Sequence, residues 1–168
     1  TDELKCWGGA FGSSLSILGY TDSHQPRVID SGVSYSKIDI NYNSGNACAV
    51  TTGGVLKCWG PSPYDTLGLG YGATAAAPTV IDSVNTYSDV QGSCAITTGG
   101  KLICWSSAQN FIYGNYGFGY QDVATPTPIL SSNLYSTVSL SGRGCAITTT
   151  GQLNCWGLGW SGDGSNSI

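Results

Sequence analysis

A chain of 168 residues with 40% apolar content has enough material for one domain with a sizeable core. Its formal net charge of −4, with six basic residues scattered singly, supplies no cationic stripe to neutralise phosphates, so nucleic acid is not an expected partner. No apolar run approaches the roughly 18 residues of a membrane span, and no charged-then-apolar leader precedes Thr1.

Twenty-five glycines, 10% charged residues and abundant Ser, Thr, Tyr and Asn are the makings of short strands joined by tight turns. No window carries apolar residues at i, i+3, i+4 and i+7 over three turns, whereas β-branched runs bounded by Gly, Pro or Asn are frequent. The expected class is all-β. In chain order, the first strand is Glu3-Leu4-Lys5-Cys6-Trp7, followed by a Gly-rich stretch, a proline strand at Pro26-Arg27-Val28-Ile29 and a Tyr-Ser pair at Tyr35. A hairpin then runs from Cys48 to Trp59. The same series returns with Pro78-Thr79-Val80-Ile81, Tyr87 and a hairpin from Cys94 to Trp105, and again with Pro128-Ile129-Leu130, Tyr135 and a hairpin from Cys145 to Trp156. The tryptophans at 7, 59, 105 and 156 recur just past a cysteine and read as core residues.

The steps between these tryptophans are 52, 46 and 51 residues, while the cysteine-to-cysteine spacing inside each hairpin is always 10. Insertions therefore collect in connections and the hairpin is held constant, as expected of a stacked supersecondary unit. The repeat boundaries read as 1–8 for the orphan last strand of a preceding blade, then 9–60, 61–106 and 107–157, with 158–168 as a tail, all within one repeat domain. Placing Cys48 opposite Cys58 makes Thr51 face Val55 and leaves Thr52-Gly53-Gly54 as a three-residue loop. The same pairing leaves Thr98-Gly99-Gly100 and Thr149-Thr150-Gly151. Only the third position is Gly in all three, as suits a type I turn followed by a residue at positive φ. Three pairs outward from the closing pair, the cysteines occupy a non-hydrogen-bonded site with Cα atoms about 4.5 Å apart, within disulfide reach. Disulfides Cys48–Cys58, Cys94–Cys104 and Cys145–Cys155 are expected, with Cys6 unpaired or intermolecular. Zinc is disfavoured because ten-residue spacing and a single histidine supply no metal knuckle.

The pattern Cys-Ala-Ile-Thr, Gly, Leu-x-Cys-Trp-Gly, then Leu67-Gly68-Leu69-Gly70 or Gly117-Phe118-Gly119, then a proline strand, resembles bacterial members of the regulator-of-chromosome-condensation repeat family. That resemblance covers nearly the whole chain. It implies four-stranded antiparallel blades around a central axis, here about three repeats of a β-propeller-like array in an incomplete ring. The segment after Trp-Gly departs from the family's pattern at Pro61-Ser62-Pro63-Tyr64-Asp65-Thr66 and at Ser106-Ser107-Ala108-Gln109-Asn110-Phe111. The founding member's exchange activity toward a small GTPase is not carried over, since fold does not fix function.

Catalytic machinery is not apparent. The single His24 sits in a turn-like polar segment, and the acids of Ile29-Asp30-Ser31 and Ile81-Asp82-Ser83 occupy one repeat position that suits a turn or cap. A weak calcium-like string, Asp39, Asn41 and Asn43, has its glycine, Gly45, displaced by one position and Val50 in place of the twelfth-position glutamate of a calcium loop. A strand with one wet face explains its alternation without metal. No cofactor is expected, and the chain is read as not an enzyme. Tyr20, Tyr64, Tyr71, Tyr113, Tyr116, Phe118, Tyr120 and Trp160, clustered in the Gly-rich connections, are candidate ligand or interface aromatics.

Seven cysteines in regular placement suit an oxidising compartment, so an extracellular or cell-surface location is expected. The absence of Met is read as the mark of a processed chain or a fragment. Three blades cannot close a ring that normally takes four to eight, so sheet faces or edges are expected to be open unless neighbours cover them. The leading expectation is a structural subunit self-associating head to tail in an extracellular fibre or larger oligomer. The alternative is a glycan- or protein-binding propeller module of a longer secreted adhesin.

Overall fold

The computed structural model describes residues 3–8, 23–41, 45–62, 65–106, 123–140 and 144–156. Among them the regular structure is all strand: β1 (Glu3–Gly8), β2 (Ser23–Ser31), β3 (Tyr35–Ile40), β4 (Ala47–Thr51), β5 (Leu56–Gly60), β6 (Ala75–Asp82), β7 (Tyr87–Gln91), β8 (Cys94–Thr97), β9 (Leu102–Ser106), β10 (Val123–Pro128), β11 (Tyr135–Leu140), β12 (Gly144–Thr148) and β13 (Leu153–Trp156). They form antiparallel sheets in the orders β1-β2, β3-β4-β5-β6, β7-β8-β9-β10 and β11-β12-β13. The four-stranded propeller-blade architecture is thus present in two sheets, with three- and two-stranded sheets at either side.

The sheets cut the chain differently from the sequence repeats. Boundaries at 60 and 106 separate β5 from β6 and β9 from β10, yet each of these pairs is hydrogen-bonded in one sheet. The segment 1–8 is likewise no orphan last strand, because β1 pairs with β2 through Leu4 and Asp30, and Cys6 and Arg27. The physical reason is that the chain turns back after Trp7-Gly8, Trp59-Gly60 and Trp105-Ser106 and lays the proline strand along the outer edge of the sheet it has just built. An outermost strand tolerates proline, since the absent N–H faces solvent instead of a ladder partner. Arg27, Thr79 and Thr127 stand opposite Cys6, Cys58 and Cys104, so the equivalent prolines are Pro26, Pro78 and Pro126, two residues before the Pro128 that the sequence pattern suggests.

The hairpins form in the expected register. Cys48 faces Cys58, Cys94 faces Cys104 and Cys145 faces Cys155, and each pair is bridged, with Cα atoms 4.0–4.1 Å apart. Cys6 is free and buried, and burial pushes its thiol pKa up. The turn glycines Gly54, Gly100 and Gly151 have φ of 82°, 83° and 87°. A detail invisible in the pairing pattern explains the threonine that opens each turn. Its carbonyl accepts the turn glycine's N–H, as in Gly54 to Thr51 at 2.9 Å, and its own N–H donates across the loop, as in Thr51 to the Val55 carbonyl at 3.0 Å. The return bond of that closing pair goes to the side chain: the Thr51 hydroxyl accepts the Val55 N–H at 3.0 Å, and Thr97 and Thr148 do the same for Lys101 and Gln152.

Two apolar clusters fill the spaces between sheets. One gathers Val50, Leu56, Trp59 and Leu67 with Tyr87 and Val90 of the next sheet. The other gathers Ile96, Leu102 and Cys104 with Tyr135 and Val138. Trp59, Trp105 and Trp156 are buried, but Trp7, expected in the core, is 63% exposed. Trp105 lies against Gly68 and Thr66, and Trp156 against Gly144 of its own hairpin, whereas β1 has only the outer strand β2 beside it in its sheet.

Candidate interaction surface

The junction between blades is the most elaborated chemistry in the described chain, and it is built from equivalent residues each time. At the first two hairpin tips the turn glycine carbonyl accepts a backbone N–H from the first strand of the following blade: Tyr87 to Gly54 at 2.8 Å and Tyr135 to Gly100 at 2.7 Å. A Cβ on Gly54 would lie 3.0 Å from Thr86 Cβ, and one on Gly100 would lie 3.1 Å from Leu134 Cβ. Glycine is therefore required here both by the left-handed backbone and by the close approach of the neighbouring strand.

Along the innermost strands β3, β7 and β11, polar groups bridge from blade to blade. Asp39 accepts from Gln91 Nε2 at 2.9 Å and from the Gly92 N–H at 2.7 Å. Asp89 takes an ion pair from Lys37 at 3.7 Å and a hydrogen bond from the Thr137 hydroxyl at 3.3 Å. The strand expected to carry Asp39, Asn41 and Asn43 on one wet face is corrected on this point. Strand β3 ends at Ile40, Asn41 is held in a turn with Gly45 and Asn46, and both carboxylate oxygens of Asp39 are engaged by the next blade. Asn43 lies outside the described residues. Nor does the other face of β3 pack as expected, because Ile38 and Ile40 are exposed.

At the outer end of two of the three junctions an acid at the close of the proline strand meets the tyrosine that starts the next sheet. The Tyr35 hydroxyl donates to Asp30 at 2.6 Å, and Lys57 pairs with the same carboxylate at 2.9 Å while standing 5.8 Å from the Tyr35 ring centre. Partial burial pushes the Asp30 carboxyl up, but the hydrogen bonds from Tyr35 and Lys57 outweigh it and hold the group below its ordinary value. Asp82 is held down in the same way: desolvation raises it, and hydrogen bonds from Asn85, Tyr87 and the backbone N–H groups of Val84 and Asn85 more than offset that. Asp82 thus caps its turn, the role its sequence position suggests, and also ties the next blade through the Tyr87 hydroxyl. Burial, reinforced by these carboxylates, pushes both tyrosine phenols well up. In the third junction Leu130 replaces the acid, and the Tyr135 hydroxyl accepts from Asn154 at 3.1 Å instead.

The segment after Trp59, which departs from the family pattern in sequence, still spans a junction. The Thr66 carbonyl accepts from Trp105 Nε1 at 2.9 Å and from the Ser93 hydroxyl at 3.3 Å, and the Gly70 N–H donates to Ala124 at 2.9 Å. Leu67 is fully buried there. The corresponding stretches 9–22 and 107–122 lie outside the described residues, as do Tyr20, Tyr64, Tyr113, Tyr116, Phe118, Tyr120 and Trp160. Of the candidate ligand aromatics only Tyr71 is described, and it is 68% exposed. The backbone of His24 falls in β2, not in a turn. Among the described residues no group of three His, Cys, Asp or Glu converges as a metal cluster would, and no helix is long and apolar enough to cross a membrane.

Two positions that are buried at the internal junctions are open elsewhere. Val50 and Ile96 are buried by the blade that follows them, but the equivalent Ile147 is 40% exposed; Leu56 and Leu102 are buried, but Leu153 is 67% exposed. On the opposite side, Val90 and Val138 are buried by the blade before them, while the equivalent Ile38 is 47% exposed. Aliphatic side chains that make a junction are thus presented to solvent on the last sheet, and at Ile38 beside β1–β2, where Leu4, the equivalent of Leu153, is itself buried. Sequence alone could not find this surface, since the open residues are of the same types as their buried counterparts.

The sequence matches no family model and no curated relative. Solved structures share its fold. Human WBSCR16 matches with 20% identity and a TM-score of 0.67 over 94% of this chain and 44% of that one. Yeast RCC1 (Prp20), solved with Kap60 bound, matches with 17% identity and a TM-score of 0.70 over 94% of this chain and 40% of that one. Prp20p from Saccharomyces cerevisiae, described with its binding properties to Gsp1p and histones, gives 16% identity and a TM-score of 0.66. The chain spans less than half the length of these propellers, and at such identities the likeness establishes an RCC1-like blade architecture.

Proposed function

We propose that this chain is a non-enzymatic, extracellular structural module whose task is assembly, binding protein partners through its open blade faces in a surface fibre or larger oligomer. The observation that carries this reading is the exposure of Ile38, Ile147 and Leu153 at positions whose equivalents are buried in the internal junctions. Apolar surface contributes roughly 25 cal/mol per Å² when removed from water, so side chains shaped to be covered favour a partner that covers them. Contiguous exposed apolar surface of this kind marks interaction sites. The three disulfides support an oxidising location outside the cell. Propellers of the same architecture, solved with Kap60 or described as binding Gsp1p and histones, support a protein as partner. The test is sedimentation of the native chain over a wide concentration range, with electron microscopy of the same samples. Concentration-dependent growth in size supports the assembly role; a monomer throughout contradicts it.

The exposed Tyr71 favours a second reading, a glycan- or protein-binding module of a longer adhesin, because an aromatic ring presented to solvent suits stacking on a sugar. Glycan-array binding that is lost in Tyr71→Ala would support it, and silence on the array would remove it.

A further inference from the structure

The sheet β1-β2 is the outer half of a blade. Strand β1 stands where β5 and β9 stand and β2 where β6 and β10 stand, but among the described residues nothing takes the place beside β1 that β4 and β8 fill elsewhere. We propose that this open edge of β1 accepts one antiparallel strand of a separate polypeptide, and that a disulfide to Cys6 locks it there. The strand carries a cysteine with a small residue before it and a β-branched residue two places after it. The proposal rests on the assembly function above and deepens it by naming the partner of one open face.

Separate features fit the same strand. An unpaired strand edge is a template for strand addition, and β4, β8 and β12 show the register such a strand takes along β5, β9 and β13. Cys6 holds the place of Cys58, Cys104 and Cys155, each of which is bridged across that register, and Cys6 is free. Ile38, on β3, is 47% exposed, whereas its equivalent Val90 is buried in one cluster with Val50, the residue two places after Cys48. A strand whose cysteine meets Cys6 sets its own residue two places on opposite Leu4, as Val50 stands opposite Leu56 and Ile96 opposite Leu102. That side chain then covers Ile38. The residue before the cysteine must be small, because Ala47 stands opposite Trp59 and Gly144 opposite Trp156, and a Cβ on Gly144 would run into the Trp156 indole. Trp7 lies open for the same contact. The outer half is already seated, with Leu4 and Cys6 in the cluster of the next sheet and Asp30 bonded to Tyr35, so the incoming strand displaces nothing.

A second copy of this chain is not the donor, since its three strands of this kind hold their cysteines in bridges. Nor do two β1 edges pair with each other. Their Cys6 side chains would point to one side of the joined sheet, and the two β3–β6 sheets packed on that side would occupy one space. The bond forms by exchange. The Cys6 thiolate attacks the partner's sulfur in a mixed disulfide with a small thiol. The new Sγ–Sγ bond forms, the small thiol leaves with the electron pair of the broken bond, and the Cys6 proton passes to solvent. The oxidant is thus a low-molecular-weight disulfide.

The experiment offers the full chain a synthetic peptide of the sequence Asn46 to Thr52, its cysteine held as a mixed disulfide with glutathione, and follows the adduct by intact mass. The same peptide in reversed order is the control, because it keeps the cysteine and the composition but moves the valine away from Ile38. The forward peptide is expected to link at least about tenfold faster, as two reacting groups held together do. Cys6→Ser should give no adduct, and Ile38→Lys should remove the advantage of the forward peptide without slowing the reversed one. Ile38 is exposed, so the variant should keep the native circular dichroism spectrum; if it does not, Ile38→Ser makes the same test without a charge. Equal rates for the two peptides, an advantage that survives Ile38→Lys, or no adduct on a folded chain would overturn the strand site while leaving the assembly function to its sedimentation test. Native protein with Cys6 bridged to a second copy of this chain would overturn the choice of donor. A chain that captures the forward peptide selectively but stays monomeric at every concentration would support the strand site and overturn self-assembly.

Discussion

Replacing Gly54 with alanine should cost much more than the same change at Gly151, although both residues close equivalent turns. Each has positive φ, 82° and 87°, so either alanine pays the left-handed penalty of about 1–2 kcal/mol. At Gly54 the new Cβ also meets Thr86 Cβ at 3.0 Å and the Tyr87 backbone N and O at 3.4 Å. Neither is the far end of a flexible side chain, so the blades must move apart, at a cost of about 1–3 kcal/mol of the kind seen on overpacking. Gly54→Ala is therefore expected to destabilise by about 2–5 kcal/mol, and Gly151→Ala by only the left-handed share of about 1–2 kcal/mol. The assay is urea unfolding followed by tryptophan fluorescence and circular dichroism, in a Leu153→Lys background so that association does not add to apparent stability. Coincidence of the two probes tests whether one transition describes the array. Equal losses for the two alanines would refute the close approach of blades at the glycine turn.

Other outcomes follow from the same geometry. Leu102→Ala should cost about 2–5 kcal/mol, as a fully buried leucine does, whereas exposed Leu153→Ala should leave the unfolding midpoint of the monomer nearly unchanged. Removing one bridge as Cys94→Ala with Cys104→Ala opens a loop of about 11 residues and should cost roughly 2.5–3 kcal/mol by the chain-entropy estimate, read as the shift against the native chain in urea. Asp30 and Asp82 titrate lower folded than unfolded, where the ordinary value is 3.8, so their contribution is present above about pH 4 and is lost as pH falls through their folded values. Asp30→Asn with Asp82→Asn should flatten the acid limb of a stability profile. The raised Tyr35 and Tyr87 phenols act oppositely, their contribution being lost as pH climbs above about 10.

The hairpin was legible because three constraints in the sequence agree: constant cysteine spacing, a glycine fixed at the third loop position, and a pairing register that places the cysteines within bonding distance. Each is local, and local geometry decides a hairpin. The threonine hydroxyls of Thr51, Thr97 and Thr148 were missed, although their recurrence at one position was a usable signal. The sheet boundaries were misplaced because a strand leaving Trp-Gly can pair backward or forward, and only the proline register against Cys58 and Cys104 resolves which. Trp7 and Ile38 could not be read at all. Each has the residue type of its buried counterparts, and exposure depends on whether a neighbouring strand or blade lies over it. Asp39 shows the same limit: an alternating string describes one strand, while its partners Gln91 and Gly92 stand more than fifty positions later.

The most direct test of the account compares the native chain with Leu153→Lys by sedimentation velocity across a concentration series. The native chain should grow in size with concentration and the variant, equally folded, should remain monomeric. A native chain that stays monomeric at every concentration would contradict the claim that its exposed blade faces exist to be covered.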